Sequence, residues 1–524
     1  MKKLRKIFLV VFTALISIAL ILIIYLSIEY SPGYLYRYIV WTPPGNSDLY
    51  KFPSRLIEAC PETNRISFNV DLKEDYVESL FNDRIHQLGL NSFDEYIKLT
   101  GTTALIFIKA DTIIYEKYFN GFKRDSFSMA MSMTKSFVNS LLGVAIDEGY
   151  VKNINEPIAN YIPELLNHDK RFKNIKIKNL LMMNSGLEQR KALFYGVPLP
   201  WDGDPVSYYY PNLRDYIINN LNIIDDPGKR FYYNDFNAEL LGLILERLLP
   251  ETPSEYLQDK IWKPCDMEYS AKWTMDSDES KFEKKSSGLF ARPIDYARYG
   301  YLYLNKGKWQ GKQIIPENWI TESMQEDSLI NKKDYWPNEW ISNSDFKTYY
   351  KYHWKAHFNR DSTINYSIGG VYGQNIYFAP HKKLIIVHCS TSQEYYGVED
   401  LWYVERIFDD PFFKILNEKG IPEAIEYFRR IKKADPDRYV FPETHLNRIG
   451  YNYLNRGEIE KAISIFELNV SAYPQSSNTY DSLGEAYMKS DNKELAIKNY
   501  KKSLELNPNN KNAEEILKRL RNNK

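Results

Sequence analysis

The 524-residue chain carries 68 Lys and Arg against 68 Asp and Glu, a formal net charge of zero. That balance excludes the basic excess of a nucleic-acid binder, and 44% hydrophobic with 15% aromatic residues excludes wholesale disorder. Three scattered cysteines, Cys60, Cys265 and Cys389, exclude a disulfide framework and a thiolate zinc site.

Lys2, Lys3, Arg5 and Lys6 precede a stretch from Ile7 to Ile28 that contains no charged residue. As a helix that stretch is about 33 Å long, against a hydrocarbon core of about 30 Å. The exit, Tyr25-Leu26-Ser27-Ile28-Glu29-Tyr30, lacks the small residues of a cleavage site, so the segment reads as an uncleaved single-pass signal anchor. Cations before the span place the N-terminus in the cytoplasm and everything after residue 30 outside it, at the cell membrane. Residues 31–55, rich in Pro, Gly and Tyr, read as an irregular tether.

Further on, Thr103–Ile108 and Thr112–Tyr115 flank a short turn and predict a hairpin; Asn375–Phe378 and Leu384–Val387 predict a second. Helical patterns between them include Phe137–Glu148 and Asn237–Leu248. Strands at both ends with helices between predict an α+β domain whose sheet is closed by the chain's two extremes. The C-terminus follows a different rule. Gly450 recurs as Gly484, Tyr453 as Tyr487, Ala462 as Ala496 and Pro474 as Pro508, each pair 34 apart (496 − 462 = 34). This resembles the tetratricopeptide repeat, with small residues where paired helices cross. Glu423-Ala424-Ile425 through Pro436 reads as an earlier, degenerate copy.

Three S-x-x-K tetrads occur, starting at Ser132, Ser344 and Ser490. Ser344 lies in an Asn/Asp-rich loop and Ser490 in a turn between repeat helices, so both read as solvated surface. Ser132 precedes the apolar run Phe137–Ile146, where a serine is either a helix cap or a nucleophile. Residues three apart share a helix face, which lets Lys135 reach the Ser132 hydroxyl. Burial beside that helix is expected to lower the Lys135 pKa and make it a base.

Phe127-Ser128-Met129-Ala130-Met131-Ser132-Met133-Thr134-Lys135, followed by Ala145-Ile146-Asp147-Glu148-Gly149, resembles the nucleophile region of serine β-lactamase-related hydrolases. That branch includes class C β-lactamases, D-alanyl-D-alanine carboxypeptidases, esterases and 6-aminohexanoate-dimer hydrolases. Ile177–Leu187 resembles its "LL.M.SGL" segment, and Ser287–Gly300 its "GGL.ATP.DLARFG" helix. The resemblance covers roughly residues 60 to 400 and implies a β-lactamase/transpeptidase-like fold, an antiparallel sheet flanked by helices. It also implies a catalytic tyrosine in a Y-x-N motif. Tyr232-Tyr233-Asn234 fits by letter, whereas spacing from Pro227-Gly228 favours Tyr233-Asn234-Asp235 and hence Tyr233. The third motif, usually K-T-G or H-x-G, is matched by Gly370-Val371-Tyr372-Gly373-Gln374, with Val371 in place of the cation. By resemblance Gly373 and Gln374 lie on the substrate strand, and the Gln374 N–H joins that of Ser132 in an oxyanion hole.

His353-Trp354-Lys355-Ala356-His357 lacks the Glu of H-E-x-x-H and reads as surface near the pocket, not as a metal site. No G-x-S-x-G elbow supports a Ser-His-Asp triad. The aromatic stretch Trp201–Tyr210 reads as an acyl pocket lining or as packing. The chain thus divides into a basic tail (1–6), an anchor (7–28), a tether (29–59) and a serine hydrolase domain (60–405). A connector with the degenerate repeat (406–445) and the repeats (446–524) complete it. The expected function is cleavage of a small ester, amide or peptide-like substrate at Ser132, without cofactor or metal, with a protein partner on the repeats and no nucleic acid. The alternative is a weakly active or inactive hydrolase fold that recruits a partner.

Overall fold

The computed structural model describes residues 2–61, 67–188, 193–194, 197–200, 202–326, 348–358, 363–392, 398–434 and 443–522. By contacts the chain falls into two compact units: residues 1–72 with 100–398, and residues 73–99 with 399–524.

The first unit opens with helix α1 (Lys2–Tyr30), apolar from Phe8 onward and, among the described residues, the one helix long and apolar enough to cross a bilayer. Residues 31–55 are not the irregular tether that their composition suggests. They form helix α2 (Pro32–Trp41), a 3-10 turn at Asn46–Tyr50 and the start of strand β1 (Ser54–Ile57). The reason is burial: Tyr34, Leu35, Leu49 and Phe52 all enter the core, and an aromatic-rich segment that packs against a domain is no longer a linker.

The main sheet is built from β2 (Asn69–Val70), β3 (Thr102–Lys109), β4 (Thr112–Tyr118) and a C-terminal set. A smaller sheet takes β5 (Ser128–Met129), β6 (Ala271–Thr274) and β7 (Leu289–Ala291), in the order β1-β6-β7-β5. The C-terminal set is β8 (Thr348–Lys351), β9 (Trp354–Phe358), β10 (Ile364–Gly370), β11 (Gln374–Ala379) and β12 (Leu384–Ser390). The order β8-β9-β10-β11-β12-β3-β4-β2 confirms both predicted hairpins and the closure of the sheet by chain extremes. β3 pairs antiparallel with β12, Ile106 opposite Val387. Every residue of β12 is buried, because helices cover the sheet.

Helix α3 (Thr134–Asp147) follows the turn that carries Ser132 and is buried from Thr134 to Ala145. Helices α4 (Gly203–Tyr209), α5 (Phe236–Leu248) and α6 (Pro293–Leu304) complete the frame around it. The predicted helices over 137–148 and 237–248 thus form, each starting slightly earlier.

The second unit is helical. Residues 73–99 pack here with the stretch from 399 onward: Tyr96 donates to Asp400 at 2.7 Å, and Arg84 pairs with Asp400 at 2.8 Å. Two helices follow, Pro411–Lys419 and Ile421–Ala434; the second holds residues 423–434 of the expected degenerate copy, with Ala424 fully buried, and Pro436 lies outside the described residues. The repeats follow as α7 (Glu443–Asn455), α8 (Ile459–Ala472), α9 (Ser477–Lys489) and α10 (Lys493–Leu506), then a closing helix α11 (Lys511–Asn522). A Cβ on Gly450 would lie 2.3 Å from the Phe466 ring, and one on Gly484 3.2 Å from Tyr500. The 34-residue period therefore marks real helix crossings.

Candidate active site

Ser132 sits in a 3-10 turn, Met131–Met133, just ahead of α3. The cap position of α3 is Met133 and no side chain caps it, so Ser132 is not spent on capping. Met131 holds a left-handed φ of 46°, a strained conformation for a side-chain-bearing residue and one that clusters at functional turns. β10 ends against this turn. A Cβ on Gly370 would lie 2.5 Å from the Ala130 carbonyl oxygen and 2.9 Å from Met131 Cβ, so only glycine fits at that strand end.

Lys135, the second residue of α3 and fully buried, directs its ammonium at several groups. Nζ donates to Ser132 Oγ at 2.9 Å and to the Ser286 carbonyl at 2.9 Å, and it pairs with Asp235 Oδ1 at 2.8 Å. It also hydrogen-bonds the Tyr233 side chain and stands 5.2 Å from that ring's centroid. The expectation of a lowered lysine pKa is overturned here. Burial does push it down, but the Asp235 carboxylate, with Tyr233 beside it, outweighs burial and the net shift is upward. Lys135 is a charged donor at rest, not a free base.

The Tyr233-Asn234-Asp235 register is explained by the middle residue. Asn234 is buried and donates to the carbonyls of Leu187 and Glu188, both at 3.2 Å, while its oxygen accepts from Phe236 N–H at 2.9 Å. Locked onto the Ser185-Gly186-Leu187 turn, it leaves its two neighbours turned toward Lys135. Tyr232 lies apart, in a small cavity lined by Gly186, Ile224, Asp225 and Arg230. Asp235 also accepts from Ser207 Oγ at 3.1 Å.

A buried carboxylate that sequence reading missed completes the frame. Glu239, on α5, accepts from the N–H groups of Lys285 at 3.0 Å and Ser286 at 2.8 Å. It thereby fixes the two peptide groups just before the Ser286 carbonyl that meets Lys135. Nothing in the local sequence separates Glu239 from an ordinary helix glutamate; the signal lies in the fold.

A model of the beta-lactamase family matches residues 93–406, more than half of the chain. The chain belongs to the beta-lactamase family. A tetratricopeptide-repeat model matches residues 477–510. Among curated relatives, the 6-aminohexanoate-dimer hydrolase of Paenarthrobacter ureafaciens is 23% identical over 316 residues, 58% of this chain and 76% of that protein. The teichoic acid D-alanine hydrolase of Staphylococcus aureus strain MRSA252 is 27% identical over 193 residues, 36% of this chain but only 42% of its own length. A solved structure from Bacillus anthracis, assigned to the 6-aminohexanoate-dimer hydrolases, superposes with a TM-score of 0.57 at 21% identity. It covers 70% of this chain and 92% of that one, and so establishes the fold.

In this beta-lactamase-family unit the Gly373 carbonyl and the Gln374 side chain are engaged by neighbouring strands. Gly373 has a φ of 76° and its carbonyl accepts from His388 Nδ1 at 2.7 Å. Gln374 is fully buried; its side chain accepts from Ser128 Oγ at 3.2 Å and donates to Tyr372 O at 2.9 Å and to Ser390 O. It braces the strand beside the nucleophile turn. His353 and His357, expected at the surface, are both buried, since they stand on or next to β9 and face the packed layer. His353 Nδ1 meets the Lys135 carbonyl at 2.7 Å, and His357 Nε2 meets Ser367 Oγ at 2.8 Å. Burial lowers the His353 pKa to about 4, keeping it neutral.

Tyr208 and Tyr209 are packing: both rings meet Phe52, and Tyr208 donates to Asp48 at 2.8 Å. Trp201 and the tetrad at Ser344 lie outside the described residues. Ser490 closes α9, its hydroxyl on the Tyr487 carbonyl at 3.0 Å.

Proposed function

We propose that this chain is a membrane-anchored, extracytoplasmic serine hydrolase that cleaves an ester or amide through an acyl-enzyme on Ser132. The observation that carries the proposal is the convergence of Ser132, Tyr233 and Asp235 on the buried Lys135 ammonium. In this reading Lys135 orients the Ser132 oxygen and holds positive charge beside it. Ser132 Oγ attacks the acyl carbon. Tyr233 takes the hydroxyl proton as its own phenol proton passes to the leaving alcohol or amine, and the C–O or C–N bond breaks. Water then attacks the acyl-enzyme by the reverse relay, freeing the acid and restoring Ser132. The oxyanion is assigned to the N–H of Ser132 and an N–H of the Gly373-Gln374 segment, and losing one such donor costs on the order of 3 kcal/mol in the barrier.

Val371 argues the substrate class. It is 38% exposed in the turn after β10 and offers neither charge nor hydrogen bond where relatives carry Lys or His. A charge-assisted hydrogen bond is worth about 1.5–3 kcal/mol, so carboxylate-anchored substrates lose about ten- to a hundredfold. Uncharged esters and linear amides are the substrates preferred, and the relatives named as a dimer hydrolase and a D-alanine hydrolase support that reaction class. The repeats are assigned to a protein partner.

A fluorophosphonate probe tests the proposal: covalent labelling of the wild type that disappears in Ser132→Ala supports it. A folded wild type that resists the probe would favour a binding protein with an inert hydrolase fold. Substrate class is tested by kcat/KM for a short-chain p-nitrophenyl ester against a cephalosporin, in wild type and Val371→His. Efficient cephalosporin hydrolysis by the wild type would sink the assignment.

A further inference from the structure

Between Glu29 and Asp48 the sequence contains a single charge, Arg37. It is directed inward: one guanidinium nitrogen donates to the carbonyls of Tyr209 at 3.3 Å and Asp276 at 2.5 Å. The outer face of α2 is therefore uncharged. Pro32, Gly33, Tyr36, Ile39 and Val40 are exposed, with Tyr36 at 59%, Ile39 at 64% and Val40 at 55%. At 100° per residue those five positions fall within an arc of about 120°. The opposite face is committed to the domain through Tyr34 and Leu35, fully or nearly fully buried, and the Tyr34 ring centroid lies 5.8 Å from that of Tyr210.

What covers the outer face follows from what precedes it. α1 ends at Tyr30, and α2 begins at Pro32 with only Ser31 between them. Ser31 makes the break with a φ of 79°, and its Oγ accepts from the Tyr34 N–H at 3.3 Å, restarting the helix at once. A ten-residue helix is about 15 Å long, so an α2 attached directly to a spanning helix stays within about 15 Å of the bilayer surface. Tyr25 and Tyr36, both exposed, flank this exit, and tyrosine is a residue type that occupies the headgroup boundary. A protein partner would have to reach an apolar face held against lipid.

We infer that α2 is an in-plane interfacial helix, its Tyr36–Ile39–Val40 face seated in the headgroup layer, so that the hydrolase unit is held on the membrane surface and not on a free stalk. The inference rests on α1 spanning the bilayer. Full-length protein reconstituted into phosphatidylglycerol–phosphatidylethanolamine vesicles tests it, with an environment-sensitive fluorophore on Ile21→Cys, Ile39→Cys or Val40→Cys. Cys60, Cys265 and Cys389 are buried and do not compete for label. The expected result is a blue-shifted Ile39→Cys probe, quenched at least about twofold more by lipid spin-labelled near the headgroup than at the bilayer centre. Ile21→Cys shows the opposite preference. Quenching at Ile21 with none at Ile39 and Val40 would overturn the inference while leaving the span intact. No quenching at any position would defeat the span and the inference together. Probes at Ile39 and Val40 shielded from lipid and cross-linking between copies would mark a dimer contact instead and also overturn it.

Discussion

The repeat helices and the nucleophile turn both bring backbone into close contact, and they do so by opposite means. Where α7 crosses α8, Gly450 lies under Phe466 and Ala462 is fully buried, so the contact is apolar and its cost is only the loss of side-chain volume. Around Ser132, Gly370 lies against the Ala130 carbonyl, and the turn it supports stands beside charge: a buried ammonium with a carboxylate, a phenol and a carbonyl around it. An apolar crossing tolerates a missing atom better than a buried charge tolerates a missing partner, because the unpaired charge carries its whole desolvation penalty. Stability in the repeats is therefore spread over many contacts, whereas the site depends on a few.

The largest break in that contrast is Ser132→Ala. It removes the nucleophile from an intact fold, and kcat should fall at least about a thousandfold with thermal unfolding unchanged. Asp235→Ala comes next. It leaves Lys135 buried without its carboxylate, and chemical denaturation of the hydrolase unit should lose about 3–5 kcal/mol. If that variant is as stable as the wild type, the ion pair is not what holds the site.

Acid should act on the hydrolase unit through its buried histidines. His353 and His388 are each lowered to about 4 by burial, against an unfolded value near 6.5. Between those values the unfolded chain binds protons that the folded one refuses, so stability is present above about pH 6.5 and lost as pH falls toward 4, up to about 3 kcal/mol apiece. His388→Gln should flatten part of that slope in a pH series of denaturant midpoints. In the repeats, Gly450→Ala or Ala462→Leu should cost about 1–3 kcal/mol by overpacking and leave ester hydrolysis largely untouched. Loss of turnover in such a still-folded variant would contradict the separation of the two units' roles. The smallest effect is expected at Glu239→Gln, which keeps one acceptor for the Lys285 and Ser286 N–H groups: kcat lower by about tenfold with KM near the wild-type value, as for loosened positioning.

The same contrast explains what the sequence made legible. The repeat period is local, so Gly450 and Gly484 announce their crossings within one 34-residue window. Ser132 and Lys135 are equally local, three residues apart on one turn. Asp235 lies a hundred positions on, and its pairing with Lys135 depends on Asn234 gripping the Leu187 and Glu188 carbonyls, a contact no periodicity encodes. Reading Lys135 without Asp235 leaves burial alone and gives the wrong sign for its pKa. The tether failed similarly, because Pro and Gly counts between residues 31 and 55 do not reveal that Tyr34 and Phe52 have a core to enter. The pairing of Tyr96 and Arg84 with Asp400 likewise spans some three hundred residues and leaves no local signal.

The charge state of Lys135 is the point on which the account turns, and isotope-edited NMR of its Cε, assigned through Lys135→Arg, reads it directly. The wild-type ammonium should not titrate from pH 6 up to the ordinary lysine range near 10.5, and Asp235→Asn should lower its titration. A wild-type Lys135 that loses its proton near neutral pH would contradict it and restore lysine as the resting base.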